Sequence, residues 1–360
     1  MIYLNPAGLS PFLPEVQEEI SRTLDSFSRL LYADSGIEHY RKTLQGCRQT
    51  IADWLALNDD QRLAFMPNTT TACSLTLSRI TWREGDTLLT TTHENSTILQ
   101  ELHELGDRGV EIISLAPDSP AELVQQLETA FHTRSVRAIV VSHVSHFDGR
   151  IFPIATIQNL AQSHNALLIV DGAQAVGHIP VSFQQLHPHA YFFPGHKWCA
   201  GPMGTGALIL GEQGVGIPAG QNGGQDCQGK TYPYWTRYEL GTQNIGLIAG
   251  LAKACEMKRQ EEMKDQILDR IREEWKVCIG HHSGIRILEW DGPHAPGILS
   301  FACLDEQTEQ FIHTVSTTHS IAWKTFTHPS YPSRLSVRVS WTAGTPTAEL
   351  RSVLDFFKTP

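Results

Sequence analysis

Apolar positions in this chain come mostly as short unbroken runs, and the segments between the runs carry the three-to-four spacing of helices. Residues 63–66, 86–90, 110–114, 136–142, 166–170, 190–193 and 206–210 read as strands. A strand with apolar residues on both faces needs cover on both faces, as in a parallel sheet. Helical patterns over 73–80, 98–106, 120–131 and 154–164 separate the strands, and this alternation predicts an α/β fold with a mainly parallel sheet. Ahead of it, Asn5, Pro6, Gly8, Pro11 and Pro14 mark a turn-rich arm, followed by helices over 15–31 and 39–57. The second of these places Leu44, Cys47, Ile51, Trp54 and Leu55 on one face.

Beyond residue 210 the pattern changes. Residues 211–235 are rich in glycine and polar side chains, too long for a plain connection, and are expected to cover a site or an interface. A long helix with an alternating-charge surface is expected over 245–277. After it, strands at 285–289, 298–303 and 335–340 alternate with helices at 306–318 and 347–358, which reads as a small α+β domain. The organisation expected is an arm over 1–14, a large domain over 15–255 and a small C-terminal domain over 256–360.

Composition narrows the function classes. The formal net charge of −10 argues against nucleic acid as a partner, because phosphate neutralisation needs a basic face. The first residues lack the basic and long apolar regions of a signal peptide, and no run reaches the length of a membrane span, so no membrane partner and a cytoplasmic location are expected. Seven cysteines stand singly without CxxC pairs, as reduced thiols would, and the seventeen histidines show no metal-ligand spacing.

Chemistry gathers at the strand ends. In a parallel sheet these ends share one edge, so Thr69, Thr70, His93, Asn95, His146, Asp171, Gln174 and Lys197 could converge. The turn from 67 to 72 leads into a helix, whose free N–H groups suit a phosphate. Any threonine-rich helix cap looks the same, and Asp171 or Lys197 alone could equally be a cap or a surface residue.

Their joint order says more. Asp171-Gly-Ala-Gln174, then Phe193-Pro-Gly-His-Lys197, then Gly201-Pro-Met-Gly204 and Gly241-Thr-Gln-Asn244 resemble the core of the class V aminotransferase family of pyridoxal 5'-phosphate (PLP) enzymes. The match runs over most of the chain and implies the aspartate aminotransferase-like fold of PLP-dependent transferases. By this resemblance Lys197 carries the cofactor as a Schiff base and moves the substrate Cα proton, which requires an uncharged amine that burial favours. Asp171 keeps the cofactor's ring nitrogen protonated, so that the ring acts as an electron sink. Gln174 bonds the phenolic oxygen, while Thr69, Thr70 and His196 hold the phosphate. Thr242 matches the position that reaches the phosphate of a neighbouring subunit, which implies a homodimer. Arg338, with Arg334 second, matches the arginine that binds the substrate carboxylate, a task suited to a planar guanidinium.

The departures from the family pattern carry information. Asn95 follows Glu94 where the family places a ring over the cofactor, and His146 stands where the family has an asparagine. Pro194 replaces a serine that donates to the phosphate. Cysteine desulfurases of the family carry a persulfide-forming cysteine shortly before the arginine, whereas residues 323–333 contain none. The expectation is therefore a PLP enzyme on a small amino acid, a desulfurase-like C–S lyase eliminating sulfur from cysteine, cystine or a derivative. The alternatives are an aminotransferase or epimerase of the same family and, from another class, a non-catalytic binding module that retains the fold. The presence of Lys197 argues against the last.

Overall fold

The structure is a computed structural model, and it describes residues 1–30, 35–211, 238–239, 241–260 and 265–358. The chain begins with strand β1 (Ile2–Tyr3), helix α1 (Pro14–Leu30) and helix α2 (Ser35–Trp54). The central alternation follows as β2 (Leu63–Met66), α3 (Thr69–Arg79), β3 (Thr87–Thr91), α4 (Ser96–Gly106), β4 (Glu111–Leu115), α5 (Pro120–Thr133), β5 (Val136–Ser142), α6 (Ile154–Ser163), β6 (Leu167–Asp171), β7 (Ala190–Pro194) and β8 (Gly206–Leu210). Seven of these strands form one sheet in the order β2-β8-β7-β6-β5-β3-β4. Only β8 runs antiparallel to its neighbours; the other strands all point one way.

Unbroken apolar runs are explained by two cores. Along β6, Leu168 and Val170 enter one buried cluster while Leu167 and Ile169 enter the other, and Tyr191, Phe192 and Phe193 alternate in the same way along β7. Successive side chains point to opposite faces, so a strand in the middle layer can afford a polar residue only at its end. The sheet's chemistry is thereby confined to an edge.

The C-terminal part consists of helices α7 (Ile245–Arg259) and α8 (Asp265–Gly280), then β9 (Ile285–Ile287), β10 (Ile298–Cys303), α9 (Glu306–Thr318), β11 (Ile321–Ala322), β12 (Lys324–His328), β13 (Tyr331–Ser340) and α10 (Thr347–Leu354). A four-stranded antiparallel sheet runs β12-β13-β10-β9, and its own core includes Trp275, Phe301, Val337 and Trp341. Leu4 joins this core, and β1 pairs in parallel with β11, so the start of the arm is built into the C-terminal unit.

Two expectations change, a hairpin is added to them, and one stretch falls outside the described residues. The helix expected over 245–277 is two helices: α7 stops at Arg259 with Gln260 as its cap, and its first turns are buried under α1 and α2 rather than charged. Helix α3 starts at Thr69 instead of Cys73, because the Asn68 side chain caps it by accepting from the Thr71 N–H. The segment before Arg338 is a hairpin, β12 and β13, joined at Pro329-Ser330. Its residues are mostly polar because β12 is an exposed edge strand, which hides the strand period. The stretch expected to cover a site over 211–235 lies, from 212 onward, outside the described residues.

Gly172 follows Asp171 where β6 meets the Tyr191 ring; a Cβ there would lie 2.1 Å from Tyr191 Cε1. The Tyr191 hydroxyl is held by His143 Nδ1 at 2.9 Å, so the ring has nowhere to move without breaking that bond. Gly172→Ala should therefore destabilise the chain by about 1–3 kcal/mol through overpacking. Thermal denaturation checks this, and an unchanged midpoint would refute it.

Candidate active site

At the carboxyl edge of the sheet lies a cavity of about 200 Å³, lined by Thr69, Thr70, Asn95, His146, Asp171, Gln174, His196 and Lys197 together with Asn68, Thr97, Ser142, Val144 and Ala173. These residues sit at or just beyond the ends of five strands that run the same way: β2, β3, β5, β6 and β7. Strand order reverses between β3 and β5, and open α/β sheets form their ligand crevice at such a point. Eight of the residues singled out in the sequence thus share one cavity.

Asp171 ends β6 opposite Ser142 of β5 and Phe192 of β7. One carboxylate oxygen accepts the Ala173 N–H at 2.8 Å. Burial raises its pKa above the usual carboxylate value, opposed by the charge of Lys197 and by that hydrogen bond. Lys197 is the complement: burial lowers its pKa, Asp171 opposes the shift, and Arg338 adds to it. Each group is thus moved toward its neutral form, which for the lysine is the nucleophilic form.

Gln174 is held on both ends of its amide. Its Oε1 accepts from Trp198 Nε1 at 2.6 Å, and its Nε2 donates to the Ala7 carbonyl at 3.0 Å, leaving one N–H uncommitted. Trp198 is fixed in turn by stacking on His178, with ring centroids 3.5 Å apart. His196 and His146 each bury an Nδ1 with no protein partner. Burial, with Arg338 and Lys197 nearby, pushes His146 down to about 3, so the ring is neutral. Thr69 and Thr70 occupy the first turn of α3, whose leading N–H groups have no helical acceptor. Asn95 caps α4 through the Thr97 N–H at 3.1 Å while also lining the cavity.

Three residues expected at the site do not line this cavity. Arg338 is buried on β13, where Nη1 donates to the His146 carbonyl at 2.6 Å and Nη2 to Asn5 Oδ1 at 3.0 Å. Its Nε is buried without a partner, and burial lowers its pKa to about 10. Arg334 pairs with Glu309 at 3.9 Å and does not line the cavity. Thr242 is exposed and lines a separate cavity of about 290 Å³ with Met66, Thr71 and Gly204.

His93, expected at the same edge, turns away. With Asp148 and His328 it forms a buried cluster whose ligand-type atoms all lie within 4.8 Å of one another. The group is not arranged for a cation. His328 Nδ1 accepts the Ser330 N–H, so a neutral ring carries its proton on Nε2, facing Asp148. Arg150 occupies the same carboxylate through Nε at 2.9 Å and Nη2 at 2.8 Å. The cluster fixes the loop that carries His146. Sequence reading missed it because residues 93, 148 and 328 share no local spacing.

A buried carboxylate opposite a lysine of lowered pKa, beside a helix N-terminus and unpartnered histidine nitrogens, equips an enzyme to hold a phosphate-bearing group and to move a proton. The Aminotransferase class-V family matches residues 2–345, and the chain belongs to that family. It is a PLP-dependent enzyme. Among its relatives is a probable cysteine desulfurase of Methanothermobacter thermautotrophicus, 25% identical over 366 residues that span 97% of this chain and 90% of that protein. A cysteine desulfurase of Escherichia coli is 32% identical over 232 residues, 59% of this chain and 55% of that one. The fold matches that of the cystine C–S lyase C-DES in complex with its reaction product, cysteine persulfide, at a TM-score of 0.86 with 22% identity, covering 99% of this chain and 97% of the other. Cysteine desulfurase from Thermococcus onnurineus gives 0.85 with 21% identity, over 99% and 94% of the two chains. No helix among the described residues is long and apolar enough to cross a membrane.

Glu94 was also missed as a site neighbour. Fully buried, it receives hydrogen bonds from Thr91 Oγ1 at 2.7 Å and Ser142 Oγ at 2.6 Å. Burial raises its pKa to about 7, against these hydrogen bonds and with the help of Asp171. An acid whose folded pKa exceeds its unfolded value binds its proton more tightly in the native state, so its contribution is present at low pH and is lost as pH rises through about 7. Glu94→Gln, which mimics the neutral acid, should gain on the native chain by roughly 2 kcal/mol between pH 5 and 8. Denaturant titrations at both pH values measure the difference, and parallel pH profiles would exclude the assignment.

Proposed function

We propose that the chain is a desulfurase-like C–S lyase, eliminating sulfur from cysteine, cystine or a close derivative. The observation that carries the choice of elimination over persulfide relay is the β12–β13 hairpin. The segment ahead of Arg338 is a paired hairpin without a cysteine, and among the described residues no cysteine lines the cavity. Cys303, the nearest in sequence, is buried on β10 with its thiol pushed up to about 12 by burial. A thiol in that state is a poor nucleophile. Cys227 lies outside the described residues. The relatives named as cysteine desulfurases support sulfur chemistry on cysteine.

The cavity suits the cofactor. The first turn of α3, with Thr69 and Thr70, and the unpartnered His196 Nδ1 would hold the phosphate. The remaining N–H of Gln174 would serve the phenolic oxygen, Asp171 the ring nitrogen, and Asn95 and His146 the flanks of the ring. When bound, the cofactor supplies an electron sink for a carbanion. Arg338 orients the substrate α-carboxylate. Lys197, with its pKa lowered, takes the Cα proton onto Nζ. The Cβ–S bond then breaks with its electron pair leaving on sulfur, and the released enamine hydrolyses to pyruvate and ammonia. His146, neutral because of burial, offers no competing charge to the leaving sulfur.

We also infer a homodimer located in the cytoplasm. Thr242 stands outside the Lys197 cavity, on an exposed turn, where it could serve a second copy. The six described cysteines are free thiols, as a reducing compartment allows. We also propose an arm over 1–14, a large unit over 15–255 and a small unit over 256–360.

Three measurements test the reading. Cofactor-loaded protein given cysteine, cystine or cysteine sulfinate should release pyruvate and ammonia in equal amounts; alanine as the main product would overturn elimination, and transfer of the amino group to an added 2-oxo acid would point to an aminotransferase. After borohydride reduction the cofactor's mass should map to the Lys197 peptide and be absent from Lys197→Ala. Thr242→Ala should weaken cofactor retention severalfold, with sedimentation reporting a dimer in both forms.

A further inference from the structure

The short segment over residues 4–10 touches three members of the site. Asn5 Oδ1 accepts from Arg338, the Ala7 carbonyl accepts from Gln174 Nε2 at 3.0 Å, and the Ser10 N–H donates to the His196 carbonyl at 2.8 Å. Its own position is fixed against the strand that bears Arg338. The Ser340 N–H donates to the Leu4 carbonyl at 3.0 Å, and the Ala7 N–H donates to Ser340 Oγ at 3.1 Å. Tyr3 Oη donates to the carbonyls of Asn5 and Leu9 at 3.2 and 2.6 Å. A Cβ on Gly8 would sit 2.7 Å from Asn5 Nδ2, so the glycine makes room for this amide.

Arg338 is held at two points, and both acceptors are neutral oxygens. The His146 carbonyl takes Nη1 and the Asn5 amide takes Nη2. Among the described residues no carboxylate pairs with it. Five N–H groups on a guanidinium minus these two leave three, the buried Nε–H among them, for an incoming anion. A carboxylate in place of Asn5 would give the same geometry but cancel the charge.

We propose that Asn5 is a positioning residue for substrate selection: it sets the Arg338 guanidinium for an α-carboxylate while leaving its charge uncompensated, and so gives preference for amino acids over their amides. This rests on the assignment of Arg338 to the substrate carboxylate. Asn5 acts through Arg338 and is not itself catalytic.

The test uses two ligands without a leaving group, L-alanine and L-alaninamide, titrated into cofactor-loaded protein and followed by its visible spectrum. The native protein should prefer the acid, and Arg338→Ala should erase that preference. Should Arg338→Ala keep the preference, the assignment of Arg338 fails, separately from the role of Asn5. Given that Arg338 passes, Asn5→Ala should weaken alanine binding about tenfold and leave alaninamide within twofold. In turnover, KM for cysteine should rise with kcat nearly unchanged. Asn5→Asp, which retains an acceptor, should lose the preference at least as fully and serves if the alanine variant does not fold. An unchanged preference in Asn5→Ala, equal weakening of both ligands, or native-like preference in Asn5→Asp would each overturn the proposal.

Discussion

Everything at the site depends on two opposite charges facing each other where water is scarce. Asp171 and Lys197 come from adjacent parallel strands, and each is the main favourable charge acting on the other. Burial of either alone would strongly favour its neutral form. Together, each offsets part of the other's desolvation. The sheet brings them together by placing β6 and β7 side by side with both ends pointing the same way.

Around this pair the protein arranges polar groups in rings of decreasing freedom. Gln174 is locked by Trp198 and Ala7, and Trp198 by His178. The loop carrying His146 is fixed from beneath by Asp148 and Arg150, both buried, and by His93 and His328. Leaving such polar groups unpaired inside a protein is expensive, so the paired ones are fixed in place. Among the described residues twelve buried side-chain atoms lack hydrogen-bond partners, and three of them bear on the site. These are His146 Nδ1, His196 Nδ1 and Arg338 Nε, which lie at or beside the cavity.

Much of this was legible in the sequence. Strands with unbroken apolar runs, such as Leu167 to Asp171, could be placed within a residue or two because both faces are buried. Site residues at strand ends were legible because a parallel sheet forces those ends together. What stayed hidden was non-local or masked by polarity. The pairing of Arg338 with Asn5 spans 333 positions and has no local pattern. The β12 strand shows little of its sheet character because three of its five side chains face solvent and only His328 is fully buried. Helix α7 was misjudged because its later charges obscured a buried first half, and Glu94 because a carboxylate with no cationic partner leaves no mark on a charge pattern.

The parallel pairing of Ile2 and Tyr3 with Ile321 and Ala322 sets an order in time as well as in space. Ile2 and Tyr3 find their partner strand only once the chain has been made through Ala322, and closing so long a loop is entropically costly. The large sheet, whose strands lie close in sequence, can form while the arm waits. The hydrogen bond between Asn5 and Arg338, 333 positions apart, closes a loop of the same kind, whereas Asp171 and Lys197 are brought together by strands close in sequence.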